Sequence, residues 1–264
     1  SMFLGRYKDA LYATDKICSL LTKAVLSVKG RPKFAMSLEG YYATRMHVLV
    51  RFGRWQDIID APLPDDPNLY LVSTAMHHYA KGVAHAALKN FREADAERAG
   101  FYQSVARIPK ERRFFNNPAH RILAVGESML DGELEYHKGN HEAAYEHLRE
   151  SVRRDDNLQY IEPWAWMHPP RHALAALLSE QGHYEEAEQV YREDLGLSAR
   201  IQRCAQHPDN VWALHGLVEC LQTRGDAKEL PALREKLAKV QKLADVPITS
   251  SCMCRTSARR DCCD

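Results

Sequence analysis

A short pattern recurs along this chain and limits what it can fold into. It consists of a glycine, a polar residue, an aromatic, two mostly polar residues, and then a small or apolar residue. Clear copies are Gly5-Arg6-Tyr7-Lys8-Asp9-Ala10, Gly53-Arg54-Trp55-Gln56-Asp57-Ile58 and Gly182-His183-Tyr184-Glu185-Glu186-Ala187. Looser copies are Lys89-Asn90-Phe91-Arg92-Glu93-Ala94, Gly139-Asn140-His141-Glu142-Ala143-Ala144 and Gly225-Asp226-Ala227-Lys228-Glu229-Leu230. Glycine takes the left-handed conformation that ends a helix. The polar residue opens the next helix, the aromatic wedges between the two, and the small residue lets them approach closely. Each copy therefore predicts a helix–turn–helix.

Periodicity together with Gly and Pro punctuation sets the expected elements. A half-hairpin helix covers roughly 6–27. Five hairpins follow, at 36–52 with 54–61, 69–88 with 91–107, 119–138 with 141–153, 171–181 with 184–205, and 209–223 with 226–243. No segment keeps the two-residue period of a strand, so the chain reads as all-α. A helical repeat domain is expected over 1–244, followed by an extended or disordered Cys-containing tail over 245–264. With 264 residues, 45% of them hydrophobic, the chain can build a core. Its formal net charge of +1 provides no global field toward nucleic acid or an anionic membrane. No apolar run reaches the ~18 residues of a membrane helix, and no signal peptide is visible. These features predict a cytoplasmic protein that binds neither nucleic acid nor membrane.

Several longer stretches are distinctive. They are Arg45-Met-His-Val-Leu-Val-Arg-Phe-Gly-Arg-Trp55, Thr74-Ala-Met-His-His-Tyr-Ala-Lys-Gly-Val-Ala84, Glu162-Pro-Trp-Ala-Trp-Met-His-Pro-Pro-Arg-His172 and Gln206-His-Pro-Asp-Asn-Val-Trp-Ala-Leu-His-Gly216. The turn motif resembles the tetratricopeptide repeat, whose period is about 34 residues, although the spacing here is wider. From Gly40 onward the chain is similar to the C-terminal part of longer bacterial and fungal tetratricopeptide-repeat proteins that have no assigned activity. The resemblance implies an α-α superhelix of about five hairpins plus an N-terminal half-hairpin. The chain opens on Phe3-Leu-Gly-Arg-Tyr7, the turn in the middle of a hairpin, and so reads as a piece of a longer protein.

In such a superhelix the first helix of each pair lines a concave face. Counting back from each turn places His47 and Ala43, Met76 and Tyr79, Met129, Glu133 and Tyr136, His172 and Ser179, and Trp212, His215, Glu219 and Gln222 on that face. The set mixes aromatics with His and Glu and lacks a Lys/Arg ladder. It suits a small polar ligand, a short peptide or a partner protein. His215 and Glu219 lie one turn apart and share a face. They are weak candidates for a metal or for an acid–base pair. Cys252 and Cys254, with Cys262 and Cys263 beyond, are weak candidates for a soft metal. The alternative is a thiol tail without a site. Residues 245–254 either fold back near Trp212 and His215 or fray. The rigid aromatic loop 162–170 either seals the seam between the third and fourth hairpins or lids the groove. Leu11, Ile17, Leu20, Leu21 and Val25 give the first helix an apolar face, a route to self-association.

The chain has no phosphate-cradling loop, nucleophile elbow or zinc-protease motif, so no cofactor is expected. The leading functional reading is a scaffold or binding module. The alternative is an enzyme using groove His and Glu residues. A third reading is a structural fragment whose function lies in the missing part of its parent.

Overall fold

The computed structural model describes residues 1–31, 33–114 and 116–255. Cys262 and Cys263 therefore lie outside the described residues. The protein is mostly helical: α1 Tyr7–Leu20, α2 Lys23–Leu26, α3 Lys33–Leu38, α4 Thr44–Arg51, α5 Trp55–Asp60, α6 Leu71–Ala87, α7 Phe91–Ala106, α8 Ala119–His137, α9 His141–Asp156, α10 Pro170–Glu180, α11 Tyr184–Asp194, α12 Val211–Arg224 and α13 Leu230–Gln241. The chain divides into two compact units. One holds residues 1–10 and the chain from Pro169 onward; the other holds Leu11–His168. None of the described helices is long and apolar enough to cross a membrane.

The turn motif determines where helices stop. Gly53, Gly139, Gly182 and Gly225 all have positive φ, between 63° and 91°. In the weak copy Lys89 takes the same conformation, at φ 63°. Behind each of these residues the next N–H reaches the carbonyl five positions back. The bonds are Arg54 to Leu49, Asn90 to His85, Asn140 to Glu135, His183 to Leu178 and Asp226 to Leu221, at 2.9–3.0 Å. This closure satisfies carbonyls that a helix end leaves orphaned. Five positions after four of these five turn residues the small or apolar position is sealed, with Ile58, Ala94, Ala144 and Ala187 fully buried, whereas Leu230 after Gly225 is only partly buried. Helices α6 and α7, α8 and α9, α10 and α11, and α12 and α13 pack as adjacent pairs.

Four expected elements differ in the structure. The helix expected over 36–52 is split into α3 and α4 by a 3-10 stretch, Glu39–Ala43. The helix expected over 6–27 stops at Leu20, and the short α2 follows. Leu21 is buried against Leu26 and Tyr70, so it is not part of an exposed face, whereas Leu20 and Val25 are exposed. The helix expected over 184–205 ends at Asp194, because Gly196 at φ 72° closes it in the same way as the hairpin turns, with Leu197 N–H on the Arg192 carbonyl. A two-residue antiparallel ladder, Arg113–Phe114 with Asn117–Pro118, forms where only loop was expected.

Two carboxylates cap helices from a distance. Glu39, fully buried, accepts from Val72 N–H at 2.7 Å, Ser73 N–H at 3.1 Å and Ser73 Oγ at 2.8 Å. This satisfies orphan donors at the positive end of α6, while burial pushes the Glu39 carboxyl up against the pull of those hydrogen bonds and of Arg112. Asp245 caps α1, accepting from Tyr7 N–H at 2.6 Å and Lys8 N–H at 2.9 Å. The segment after α13 is therefore tied to the start of the chain. Ile248, Ser250, Ser251, Cys252 and Cys254 in that segment are buried.

Ala187→Leu is expected to destabilise the fold by about 1–3 kcal/mol, the cost of overpacking a close helix contact. Lys89→Gly is expected to stabilise it by up to about 1 kcal/mol, because a left-handed side chain is strained. Urea denaturation of both variants measures each change.

Candidate functional site

Within the unit Leu11–His168, the sequence-selected residues His47 and Tyr79 come together beneath one aromatic side chain, and Tyr79 feels the charge of the third, Glu133. Trp166 is buried and stands edge-on to His47, with ring centroids 4.8 Å apart, and to Tyr79, at 5.0 Å. Its indole N–H points at the Met129 sulfur, 3.2 Å away, and the Tyr79 hydroxyl reaches the same sulfur at 3.6 Å. A Cβ on Gly126 would lie 2.5 Å from the indole ring, so α8 accepts Trp166 there only because residue 126 has no side chain. The aromatic loop thus covers the face made by α4, α6 and α8.

Glu133 follows Met129 by one helical turn. Both of its oxygens are buried and neither has a hydrogen-bond partner. Burial pushes its carboxyl up to about 8, against the opposing pull of the Arg51 guanidinium. Arg51 is itself buried. Tyr79 is held well above its ordinary range, by burial first and then by the Glu133 charge. His47 is pulled down to about 4 by burial, and its Nδ1 has no partner. A cavity of about 20 Å³ lies beside His47, lined also by Met76, Phe114, Ala165 and Met167. At neutral pH this gives a neutral imidazole and a largely protonated carboxyl in an apolar setting.

Tyr136, on the same helix, belongs to the turn of its hairpin. It stacks on His141 at 4.7 Å and packs with Tyr145.

In the unit formed by residues 1–10 and the chain from Pro169, the remaining selected residues have separate roles. His172 donates from Nε2 to Asp194 Oδ2 at 2.8 Å, and both are fully buried. His207 Nδ1 meets the other Asp194 oxygen at 2.8 Å, and Asn210 Nδ2 donates to Oδ2 at 2.9 Å. Burial works to raise the Asp194 carboxyl, but the charges and hydrogen bonds of His172 and His207 outweigh it and hold the group well below its usual range. Phe3 stacks on His207 at 4.9 Å. This network ties the end of α11 to the start of α12, where Asn210 also caps the Ala213 N–H at 2.8 Å. Trp212 is a core residue donating to the Met2 carbonyl at 2.8 Å.

His215 and Glu219 share a face of α12, as their spacing requires. The Glu219 carboxylate, however, is held by Arg255, whose Nη1 lies 2.9 and 2.7 Å from its two oxygens. His215 is lowered by burial, with Glu219 opposing and Arg255 reinforcing. Cys252 and Cys254 are bonded to each other, so Arg255, not a cysteine, is the tail residue that reaches Glu219. Among the described residues no group of three or more His, Cys, Asp or Glu side chains is placed to hold a metal ion.

Sequence reading alone did not select Arg51, Asp194, His207 or Arg255. Arg51 carries a signal in hindsight: it is the one charged residue in the apolar run Met46 to Phe52 apart from His47. The other three lie at a helix end, in a loop and in a polar tail, where charge is ordinary.

The raised Glu133 carboxyl predicts an unusual pH dependence. The folded state binds this proton more tightly than the unfolded chain, so stability falls as pH rises through the window from 4.5 to about 8. His47 acts oppositely, adding stability between about 4 and 6.5. From pH 6.5 to 8 only the Glu133 contribution of the two remains, and it is expected to remove up to about 2 kcal/mol. Glu133→Gln should flatten that limb; urea midpoints across this range measure it.

Comparison with protein-family models, with curated proteins and with solved structures returns no match.

Proposed function

We propose that this chain is a binding module of tetratricopeptide-like hairpins, arranged as an α-α superhelix, which takes a small polar ligand on the inward face of α4, α6 and α8. The observation that carries the reading is Glu133, a carboxyl with both oxygens buried and unpartnered near Tyr79 and Arg51. Buried polar atoms are almost always hydrogen-bonded, because desolvation without a partner costs free energy. A buried residue kept at that cost is a functional-site candidate. A ligand that can donate to and accept from the carboxyl would satisfy Glu133. The loop around Trp166 would act as the lid, and its displacement would open the small cavity beside His47. A short peptide that inserts one polar side chain would use the same contacts.

The carboxyl value near neutrality favours a second reading, an enzyme in which Glu133 moves a proton. Both readings use the same residues and differ in whether the bound molecule is changed.

Native mass spectrometry of protein purified from cells, followed by denaturing extraction, tests the proposal. The expected result is a co-purifying small polar compound or peptide that rebinds the wild-type chain and binds Glu133→Gln at least tenfold more weakly. Equal binding by both forms would place the ligand elsewhere. Recovery of an altered compound after incubation would select the enzyme.

A further inference from the structure

The segment from Asp245 to Arg255 lies across the unit built from residues 1–10 and the chain after Pro169, and its anchors differ in kind. Its first part is held by Asp245 on the α1 amides and by Ile248, whose Cδ1 is so close to Gly5 that a Cβ there would lie 2.9 Å from it. Its last part is held by two contacts, Ser251 Oγ with the Tyr191 hydroxyl and Arg255 with Glu219, and its turn is fixed internally by the bond between Cys252 and Cys254. Ser250 Oγ, which donates to the Cys252 carbonyl at 2.8 Å, closes the turn locally. His215 on α12 is half-buried and feels the charges of both Glu219 and Arg255.

We propose that the Cys252–Cys254 bond is the latch of a thiol-responsive strap, and that its reduction releases residues 250–255 and bares His215 and Glu219. A dithiol supplies the two electrons. Its thiolate attacks one cysteine sulfur, forms a mixed disulfide and expels the other cysteine as a thiolate. Its second sulfur then displaces the first cysteine and closes the reductant's own disulfide, and two protons finish on Cys252 and Cys254.

Packing explains why the latch matters. Bonded sulfurs sit about 2.0 Å apart, whereas unbonded heavy atoms need about 3.5–4 Å. Both cysteines are almost fully buried, each 1% exposed, and a close-packed interior has no slack for that separation. The reduced pair must push the turn outward. Opposing this is the Arg255–Glu219 pair, with side chains 12% and 32% exposed, a partly solvated contact of modest strength. Since the bond closes a loop of only three residues, it constrains the unfolded chain little. Its loss should therefore be felt in the strap and not in the helices. Arg255 also guards the latch, because the buried sulfurs become reachable only when the end of the strap frays.

The test uses the whole chain, prepared without reductant and then exposed to dithiothreitol, with differential alkylation and peptide mapping to assign each cysteine. Hydrogen exchange is read at two places. On reduction, amides of 250–255 are expected to exchange at least tenfold faster, and trypsin to cut after Arg255 at least tenfold faster. The Tyr7 and Lys8 amides, capped by Asp245, should keep their protection. Arg255→Ala should accelerate reduction of the wild-type cysteine pair at fixed dithiothreitol. The Cys252→Ser, Cys254→Ser double variant should behave as the reduced protein; if it does not fold, the dithiothreitol titration of the native chain decides alone. Equal protection of 250–255 in both redox states would overturn the proposal, as would finding both cysteines as free thiols in air-oxidised protein.

Discussion

Each hairpin depends on one backbone conformation, the left-handed residue that closes its first helix. That residue lets the following N–H turn back to a carbonyl five positions earlier, which fixes the direction of the chain as it enters the second helix. The direction then brings the small residue five positions later against the first helix. The cluster of Ala86, Ala94 and Leu134 shows the result. Two alanines let α6 and α7 meet closely enough for a leucine of α8 to pack against both. At hairpin two the same geometry is held by Lys89, which lacks glycine's freedom. The surrounding contacts are strong enough to impose the conformation on a residue that disfavours it.

Because the turns fix which face of each first helix points inward, they also decide which side chains must be desolvated. The face of α4, α6 and α8 is covered by Trp166, and on the same α8 the carboxyl of Glu133 is buried without a hydrogen-bond partner. The other unit treats its buried acid differently. Asp194 receives His172, His207 and Asn210, which satisfies its oxygens and explains why it stays ionised while Glu133 does not. Buried acids with the same chemistry thus acquire opposite protonation through the donors around them. The satisfied one is structural, and the unsatisfied one is where a ligand would matter.

Helices, turns and the core face were legible in the sequence, because 3.6-residue periodicity and glycine punctuation act locally. The same local signals placed His47, Tyr79 and Glu133 on one inward face. They were silent about what covers that face, since Trp166 arrives from a loop with no periodicity, and Pro and Trp content makes such a loop rigid without saying where it docks. Leu21 illustrates a related limit. The pattern grouped it with an exposed stripe, but a break after Leu20 rotated it into contact with Tyr70. Arg255 was hidden for another reason: a run of Arg, Ser and Asp has the composition of a solvated tail, and only its long-range partner Glu219 makes it part of the fold.

The loop around Trp166 and the strap after α13 solve the same physical problem by different means. Each covers side chains that hairpin packing alone would leave open, and each does so with irregular backbone. The loop is held by aromatic burial, which is indifferent to redox state and to charge, so it yields only to a molecule that competes for the same apolar space. The strap's turn is shaped by an internal covalent bond and its end is held by an ion pair, which respond to thiols and to ionic strength. Neither cover contributes a residue to the left-handed turns, so the backbone closure that shapes each hairpin does not depend on either of them.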